Sequence, residues 1–190
     1  IKLMPEFLEC PNVLGVGEIG LNKNTRNEAT IFQEQVALAM KTDELILIHT
    51  PHLEDKLPGT KMILDMLHGD SRVNPQRVCV DHVEEHTIGP VLDSGFWCGM
   101  TLYPITKCTP ARAVDMIENF GDDRIMVNSA GDWGPSNPLA VPDFIHEMRM
   151  RGHAEHKIRK IVYENPVAFF SQSRNWTFER TESLQSASSE

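Results

Sequence analysis

The fold is decided in the stretch Leu14-Gly15-Val16-Gly17-Glu18-Ile19-Gly20-Leu21-Asn22, where an apolar run ends in one carboxylate set among glycines. Residues 13–16 predict a fully buried parallel strand. Its carboxyl end would therefore deliver Glu18 into a dry interior. An unpaired carboxylate is costly in such surroundings, so we expect a cationic partner for Glu18.

Three further apolar runs end in the same style. The residues that follow them are His49 after 45–48, Asp81 and His82 after 77–80, and Asn128 to Asp132 after 124–127. The carboxyl ends of parallel strands converge on one face of a barrel. Nitrogen and oxygen ligands that converge there are what a catalytic divalent metal needs.

Helical patterns separate these runs. The apolar residues of 27–41 fall on one helical stripe, and Asn24-Thr25 can cap that helix. Pro110 suits the first turn of another helix, and the last third of the chain is more helical than the rest. Strands that alternate with helices predict parallel βα units, and hence an α/β fold of the TIM-type (β/α) barrel.

Residues 96–103 alternate like a further strand, but the resulting five predicted strands are too few for an eight-stranded barrel, and the chain begins with Ile1. We therefore expect the barrel to be incomplete because its first strand or strands are missing. Residues 1–170 are predicted to form a single domain. Residues 171–190 are rich in Ser, Thr, Gln, Arg and Glu, which predicts a polar tail with too few apolar residues for a core.

Composition narrows the classes of partner. The net charge of −9 disfavours broad attraction to nucleic acid or to an anionic membrane, although a local basic groove is compatible with it. No apolar run approaches the roughly 20 residues that span a bilayer. The four cysteines show no CxxC spacing, which predicts reduced thiols in a cytoplasmic protein.

Each candidate ligand has an alternative role when it is taken alone. Glu18 could pair with Lys23 or Arg26, and Asp132 lies in a turn-forming segment, residues 130–135. Coincidence at four strand ends favours the metal site over these alternatives. Asp81 is predicted to point to the opposite side of its strand from His82, because side chains alternate along a strand.

The chain resembles the TatD-like metal-dependent hydrolases. The resemblance rests on five segments, namely Gly17-Glu18-Ile19-Gly20-Leu21, Ile48-His49-Thr50, Asp81-His82, residues 129–133 and the ending Tyr163-Glu164-Asn165-Pro166-Val167-Ala168-Phe169-Phe170. It implies an amidohydrolase-type barrel with one or two divalent metal ions, which would be zinc, manganese or magnesium. Glu18 would bridge the metals, His49 and His82 would be ligands, and Asp132 would contact both metal and attacking water.

Two departures from that family stand out. No His-x-His pair precedes Glu18, and Asn128-Ser129-Ala130-Gly131-Asp132 replaces the common Glu-Thr-Asp. Because that pair supplies two ligands in the family, this chain is expected to have reduced activity. The second departure suggests a TatD-related branch more than the nuclease members.

The leading hypothesis is an enzyme in which metal-activated water attacks a small-molecule ester, amide, lactone or phosphoester, with Asp132 as the base. Asn22, His52 and Trp133 follow the strands and are assigned to substrate contact. One alternative is a TatD-like deoxyribonuclease. The other is a non-catalytic barrel scaffold or pathway partner, for which the absent His-x-His pair would be natural.

Overall fold

The computed structural model describes residues 1–103, 107–131 and 135–178. Its centre is a five-stranded sheet in which each strand pairs in parallel with the next one along the chain, in the order β1-β2-β3-β4-β5. The strands are β1 (Gly15–Gly20), β2 (Leu45–His49), β3 (Val78–Asp81), β4 (Trp97–Leu102) and β5 (Ile125–Ser129). The predicted parallel α/β organisation is confirmed.

Helices connect the strands and follow the last one. They are α1 (Met4–Leu8), α2 (Arg26–Thr42), α3 (Leu57–His68), α4 (Ile88–Asp93), α5 (Pro110–Phe120), α6 (Ala140–Met150), α7 (Glu155–Arg159) and α8 (Asn165–Phe170), with a 3₁₀ turn at Pro75–Arg77 and a π-helical turn at Lys160–Glu164. No helix in the described part of the chain has the length and apolar character that crossing a bilayer requires.

Local sequence signals explain where two of the connecting helices, α2 and α5, begin. Thr25 caps α2 through a capping box, in which Thr25 Oγ1 accepts from the Glu28 amide and Glu28 Oε2 accepts from the Thr25 amide. Thr109 caps α5, and Pro110 occupies its first turn, where the missing N–H costs nothing. Both predicted helix starts are thereby confirmed.

The two faces of the sheet bury different layers. Ile46, Ile48, Val78 and Val80 belong to the large core between sheet and helices. The opposite, inner face carries a smaller apolar cluster at the beginnings of the strands, made of Leu45, Cys79, Trp97, Met126 and Phe169. Phe169 comes from α8, so this helix covers the inner face of the sheet at the end where the strands begin. All six residues of β4 are buried, since both faces of this strand are covered.

The first strand lies two residues later than predicted. It begins at Gly15, and Val13 lies outside it. Val16 pairs with Ile46 but Ile19 pairs with Ile48, so β1 contains one extra residue, a bulge, at Gly17-Glu18. Glu18 therefore lies within the strand, on its inner side, and its side chain is 38% exposed, so the prediction that it lies in a dry interior is wrong.

Close approach of backbones explains the glycines around this bulge. A Cβ atom on Gly20 would overlap the carbonyl oxygen of His49, and one on Gly15 would crowd the carbonyl of Leu45. A larger residue at either position would push β1 away from β2. The glycines thus allow the two strands to pair tightly on either side of Glu18.

The described part of the predicted tail, residues 171–178, packs against the body of the protein. Asn175 Nδ2 donates to the carbonyl oxygens of Cys10 and Val13, at 3.1 and 2.8 Å, and Gln172 Nε2 donates to that of Gln76 at 2.9 Å. These amides close the end of the sheet at which the strands begin. Residues 179–190 lie outside the described residues, and the boundary at residue 170 stays a prediction.

Candidate metal centre

Three candidate ligands meet at the other end of the sheet. One side-chain atom from each of Glu18, Asp81 and His82 lies within 4.8 Å of the other two. His82 Nε2 is 3.2 Å from Glu18 Oε1, so the cationic partner expected for Glu18 is an imidazole. This hydrogen bond lowers the pKa of Glu18, which keeps the carboxyl ionised.

The prediction that Asp81 points away from His82 is wrong. Asp81 is the last residue of β3 and its side chain is buried on the inner face. His82 follows with a φ of 60°, in the left-handed region, so strict alternation of side chains ends there. Two hydrogen bonds fix this turn, from the His82 amide to Asp81 Oδ1 at 2.7 Å and from Thr50 Oγ1 to the His82 carbonyl at 3.1 Å.

Thr101 determines which ring nitrogen of His82 is available. The Thr101 hydroxyl donates to Asp81 Oδ1 at 3.1 Å, and its oxygen lies 2.6 Å from His82 Nδ1. Because the single hydroxyl proton is donated to Asp81, the Thr101 oxygen accepts a hydrogen bond from Nδ1–H of His82. Nε2 is thereby left as the ring nitrogen that faces Glu18 and donates its proton to that carboxylate, and loss of this proton would make Nε2 a metal ligand.

Asp81 is held by several donors. Its Oδ1 accepts from the His82 amide, the Thr101 hydroxyl and Asn128 Nδ2, whereas its Oδ2 accepts only from Asn128 Nδ2, at 3.0 Å, within the described residues. A carboxylate oxygen has two acceptor directions, so Oδ2 retains capacity for a cation. Asn128 and Thr101 are inward-facing polar residues of buried strands. That position was the signal by which the sequence could have identified them.

His49 lies at the end of β2 on the wall of the same cavity. Burial lowers the pKa of His49, which favours the neutral imidazole that can bind a metal. Its Nδ1 lies 3.4 Å from the Thr50 carbonyl oxygen. It is not part of the three-residue group around Glu18, so its role as a ligand stays a prediction.

The group opens into a cavity of about 850 Å³. Asn22 and His52, both assigned to substrate contact, lie on its wall, and the His52 amide donates to the Asn22 carbonyl at 3.2 Å. The loops after β1 and β2 are therefore tied together at its rim. Asp132 and Trp133 fall outside the described residues, and the roles assigned to them stay predictions.

The donor set fits a divalent transition metal. Carboxylate oxygens and an oriented imidazole nitrogen, converging from β1 and from the end of β3, are the ligands that zinc and manganese accept. The inward position of Asp81 and the tautomer of His82 both favour this chemistry. The arrangement is that of TIM-type barrels, which carry ionisable groups at the carboxyl ends of their strands.

Fold and donor set together define a class, that of the parallel α/β-barrel proteins with a divalent-metal site. The model of the TatD related DNase family matches residues 1–171, and the chain belongs to this family. Family membership confirms the resemblance identified in the sequence and implies divalent metal ions.

A curated relative supports the same assignment. An uncharacterized metal-dependent hydrolase of Methanocaldococcus jannaschii is 31% identical over 170 residues, which cover 90% of this chain and 66% of that protein. The chain thus spans just under two thirds of the length of this relative.

Solved structures show the fold. A TatD-like protein from Archaeoglobus fulgidus is similar with a TM-score of 0.68 and 24% identity, over 90% of this chain and 65% of that one. A phosphotriesterase homology protein from Escherichia coli, complexed with phosphate in its active site, has a TM-score of 0.68 and 19% identity, over 82% and 58% of the two chains. These likenesses confirm the predicted TIM-type barrel class.

Proposed function

We propose that this chain carries the metal centre of a TatD-related hydrolase, which cleaves a small ester, amide, lactone or phosphoester. The observation that carries the proposal is the convergence of Glu18, Asp81 and His82 within 4.8 Å in an open cavity. The stability of the fold does not require ionisable groups at the carboxyl ends of the strands. We assign His49 and Asp132 to the same centre from their place in the sequence.

A bound divalent ion would lower the pKa of a water molecule to around 7 and would polarise the substrate oxygen. The protein residues supply the rest of the chemistry. His82 presents Nε2 in a fixed orientation, because Thr101 holds its Nδ1. Glu18 contributes an ionised oxygen beside it. Asp132 is assigned as the base that accepts the proton of the attacking water, and Asn22, His52 and Trp133 are assigned to contact the substrate.

A deoxyribonuclease is the second candidate function, and the description of the family favours it. The net charge of −9 opposes general attraction to DNA, so such an enzyme would need the basic groups near the cavity. The proposed ion is zinc, manganese or magnesium, bound as one or two ions per chain. The cytoplasmic location stays a prediction from cysteine spacing.

The decisive experiment measures metal affinity by titrating zinc and manganese into the 190-residue chain after chelation. Glu18→Gln and His82→Ala each remove one ligand, whereas Glu34→Gln and His156→Ala change exposed residues on α2 and α7. Loss of an outer partner alone costs about 10- to 100-fold in affinity, so loss of a ligand should cost at least about 100-fold. The two surface variants should bind metal as the parent chain does.

Hydrolysis of esters, lactones, phosphoesters and DNA is then measured with metal and with chelator. The hydrolase is supported by turnover that needs metal and falls in both ligand variants, and the class of substrate decides between the two candidate functions. A chain that binds no metal, or whose ligand variants bind it unchanged, contradicts the proposal and favours the scaffold role.

A further inference from the structure

Two lysines near the metal centre are held in different ways. Lys56 is buried, and its Nζ lies 2.6 Å from Glu84 Oε1, so its charge is used to join the loops after β2 and β3. Lys107 is half-buried on the wall of the cavity. Its ammonium group has no hydrogen-bond or ion-pair partner among residues 1–103, 107–131 and 135–178. A partly desolvated cation without a partner costs free energy, and a bound anionic ligand would offset that cost.

The backbone of Lys107 is firmly anchored. Its carbonyl oxygen accepts from Arg112 Nη1 at 2.9 Å, and the guanidinium of Arg112 also binds both carboxylate oxygens of Glu85, at 2.7 and 2.6 Å. The next residue, Cys108, donates its amide to the Thr101 carbonyl at 3.3 Å. The ammonium group is therefore attached to a fixed base, which reduces the entropy lost when it binds a ligand.

The charge of Lys107 acts on the metal centre. It contributes to lowering the pKa of Glu18, His49 and His52. Burial, with the charge of Lys56 as the next cause, lowers the pKa of Lys107 itself. Lys23 also lines the cavity but is exposed, whereas the field of half-buried Lys107 reaches the residues that would surround the reacting bond.

The apolar part of the cavity wall indicates which uncharged group the substrate contains. The apolar residues of the wall include Leu47 and Met126 from the inner face of the sheet and Pro166 and Phe170 from α8. This wall suits an apolar group of small size. A substrate with an oxyanion at one end and an apolar body would satisfy both sides of the cavity.

We propose that Lys107 is a specificity-determining residue that binds the oxyanion of the substrate, a carboxylate or a phosphate, while the apolar part lies against the inner face of the sheet. The inference rests on the proposed hydrolase function, whose substrate class it narrows to small organic anions. The ammonium donates to the oxyanion and offsets its charge near Glu18 and Asp81. No covalent step involves Lys107.

The test compares ligands that differ in charge but little in shape. Isothermal titration calorimetry measures the Kd of phenylacetate, phenylacetamide and phenylphosphonate for the parent chain and for Lys107→Gln, Lys107→Arg and Lys61→Gln. Lys61 is an exposed lysine of α3 and serves as the matched control. Each titration is carried out with added zinc and again with chelator, so binding is judged separately from metal loading.

The parent chain should bind the two anions more tightly than phenylacetamide. Lys107→Gln should raise the Kd of both anions by about tenfold or more, because hydrogen bonds to charged groups are among the stronger ones. The Kd of phenylacetamide should be unchanged. Lys107→Arg should retain most of the affinity, and Lys61→Gln all of it. The anion whose affinity falls more in Lys107→Gln identifies the oxyanion as carboxylate or phosphate.

Equal binding of the anions by the parent chain and Lys107→Gln would overturn the inference, as would failure of the parent chain to prefer them over phenylacetamide. Failure of the proposed function has a different signature, since a chain without metal-dependent turnover would still show the lysine-dependent preference in chelator. Conversely, turnover that persists unchanged in Lys107→Gln for anionic and neutral esters alike would refute the inference and leave the hydrolase proposal standing.

Discussion

The two ends of the inner face of the sheet differ in chemistry although they belong to the same strands. Where the strands begin, the inward side chains are apolar and α8 covers them, with Phe169 fully buried against Trp97. Where the strands end, the inward residues are His49, Asp81, Thr101 and Asn128, and a cavity opens above them. A few residues along each strand thus separate groups that stabilise the fold from groups suited to chemistry.

Spacing along the strands explains how abrupt this change is. Cys79 and Asp81 are successive inward positions of β3, and Met126 and Asn128 are successive inward positions of β5, so each pair lies only about 7 Å apart along its strand. The residue nearer the start of the strand, Cys79 or Met126, belongs to the apolar cluster, and we call this position the lower level. The residue nearer the end, Asp81 or Asn128, contributes to the polar network, and we call this position the upper level. Changes at the two levels should therefore affect stability and metal binding separately.

The largest effect is expected at the lower level. Phe169→Ala should reduce the free energy of unfolding by about 3–5 kcal/mol, because it removes a fully buried ring and leaves a cavity beside Trp97. Urea denaturation of the chelator-treated protein measures this change. Phe169→Leu is the milder control, since it fills most of the volume.

Metal affinity of the molecules that remain folded should be unaffected by either change at Phe169. A large loss of metal affinity in folded Phe169→Leu would mean that the two levels are coupled. The separation along the strands would then be incorrect as a description of how the protein works.

A smaller effect is expected from Thr101, which belongs to the upper level. Thr101→Val removes the hydroxyl that holds His82 Nδ1 and donates to Asp81. Loss of such an outer partner should lower the affinity for metal by about 10- to 100-fold. Competition with a chromogenic chelator measures it. Thr101→Ser keeps the hydroxyl and should retain most of the affinity, whereas equal losses in Val and Ser would indicate a packing effect instead of an oriented imidazole.

The sequence was most informative where strand periodicity holds. Four strands, β2 to β5, lie within about two residues of their predicted positions, because each is an apolar run bounded by turn residues. The ligand candidates Glu18 and His82 were identified by the same pattern, as ionisable groups at the ends of such runs. β1 and β3 both pair in parallel with β2, so their carboxyl ends lie at the same edge of the sheet, and His82 Nε2 lies 3.2 Å from Glu18 Oε1.

Prediction failed where the backbone departs from that periodicity. The first strand begins two residues later than predicted and contains a bulge at Gly17-Glu18, and the left-handed conformation of His82 brought Asp81 to the same side as its neighbour. Neither feature has a clear signature in a single sequence, because each depends on pairing with an adjacent strand. Lys107 gave no signal either, since only the folded cavity distinguishes a half-buried lysine from a solvated one.

The smallest predicted effect concerns Glu44, a buried carboxylate at the end of the sheet where the strands begin. Glu44 is 1% exposed, and its Oε1 lies 3.1 Å from Arg174 Nη2, an ion pair made without hydrogen-bond alignment. Burial raises the pKa of Glu44 above its ordinary value of 4.5. The folded protein therefore binds this proton more tightly than the unfolded chain does. Its contribution to stability is fully present below pH 4.5 and is lost as the pH rises through the folded pKa.

Glu44→Gln should remove that part of the pH dependence, because glutamine does not titrate. At pH 7 the free energy of unfolding should change by less than about 1 kcal/mol, since Arg174 is half exposed and can be hydrated when its partner is neutral. Urea denaturation at several pH values from 4 to 8, with Glu34→Gln as the exposed control, measures the difference. A strong destabilisation at pH 7 would show instead that the lower end of the sheet depends on this ion pair, so that the contrast between a charged upper end and an apolar lower end would hold for metal binding but not for stability.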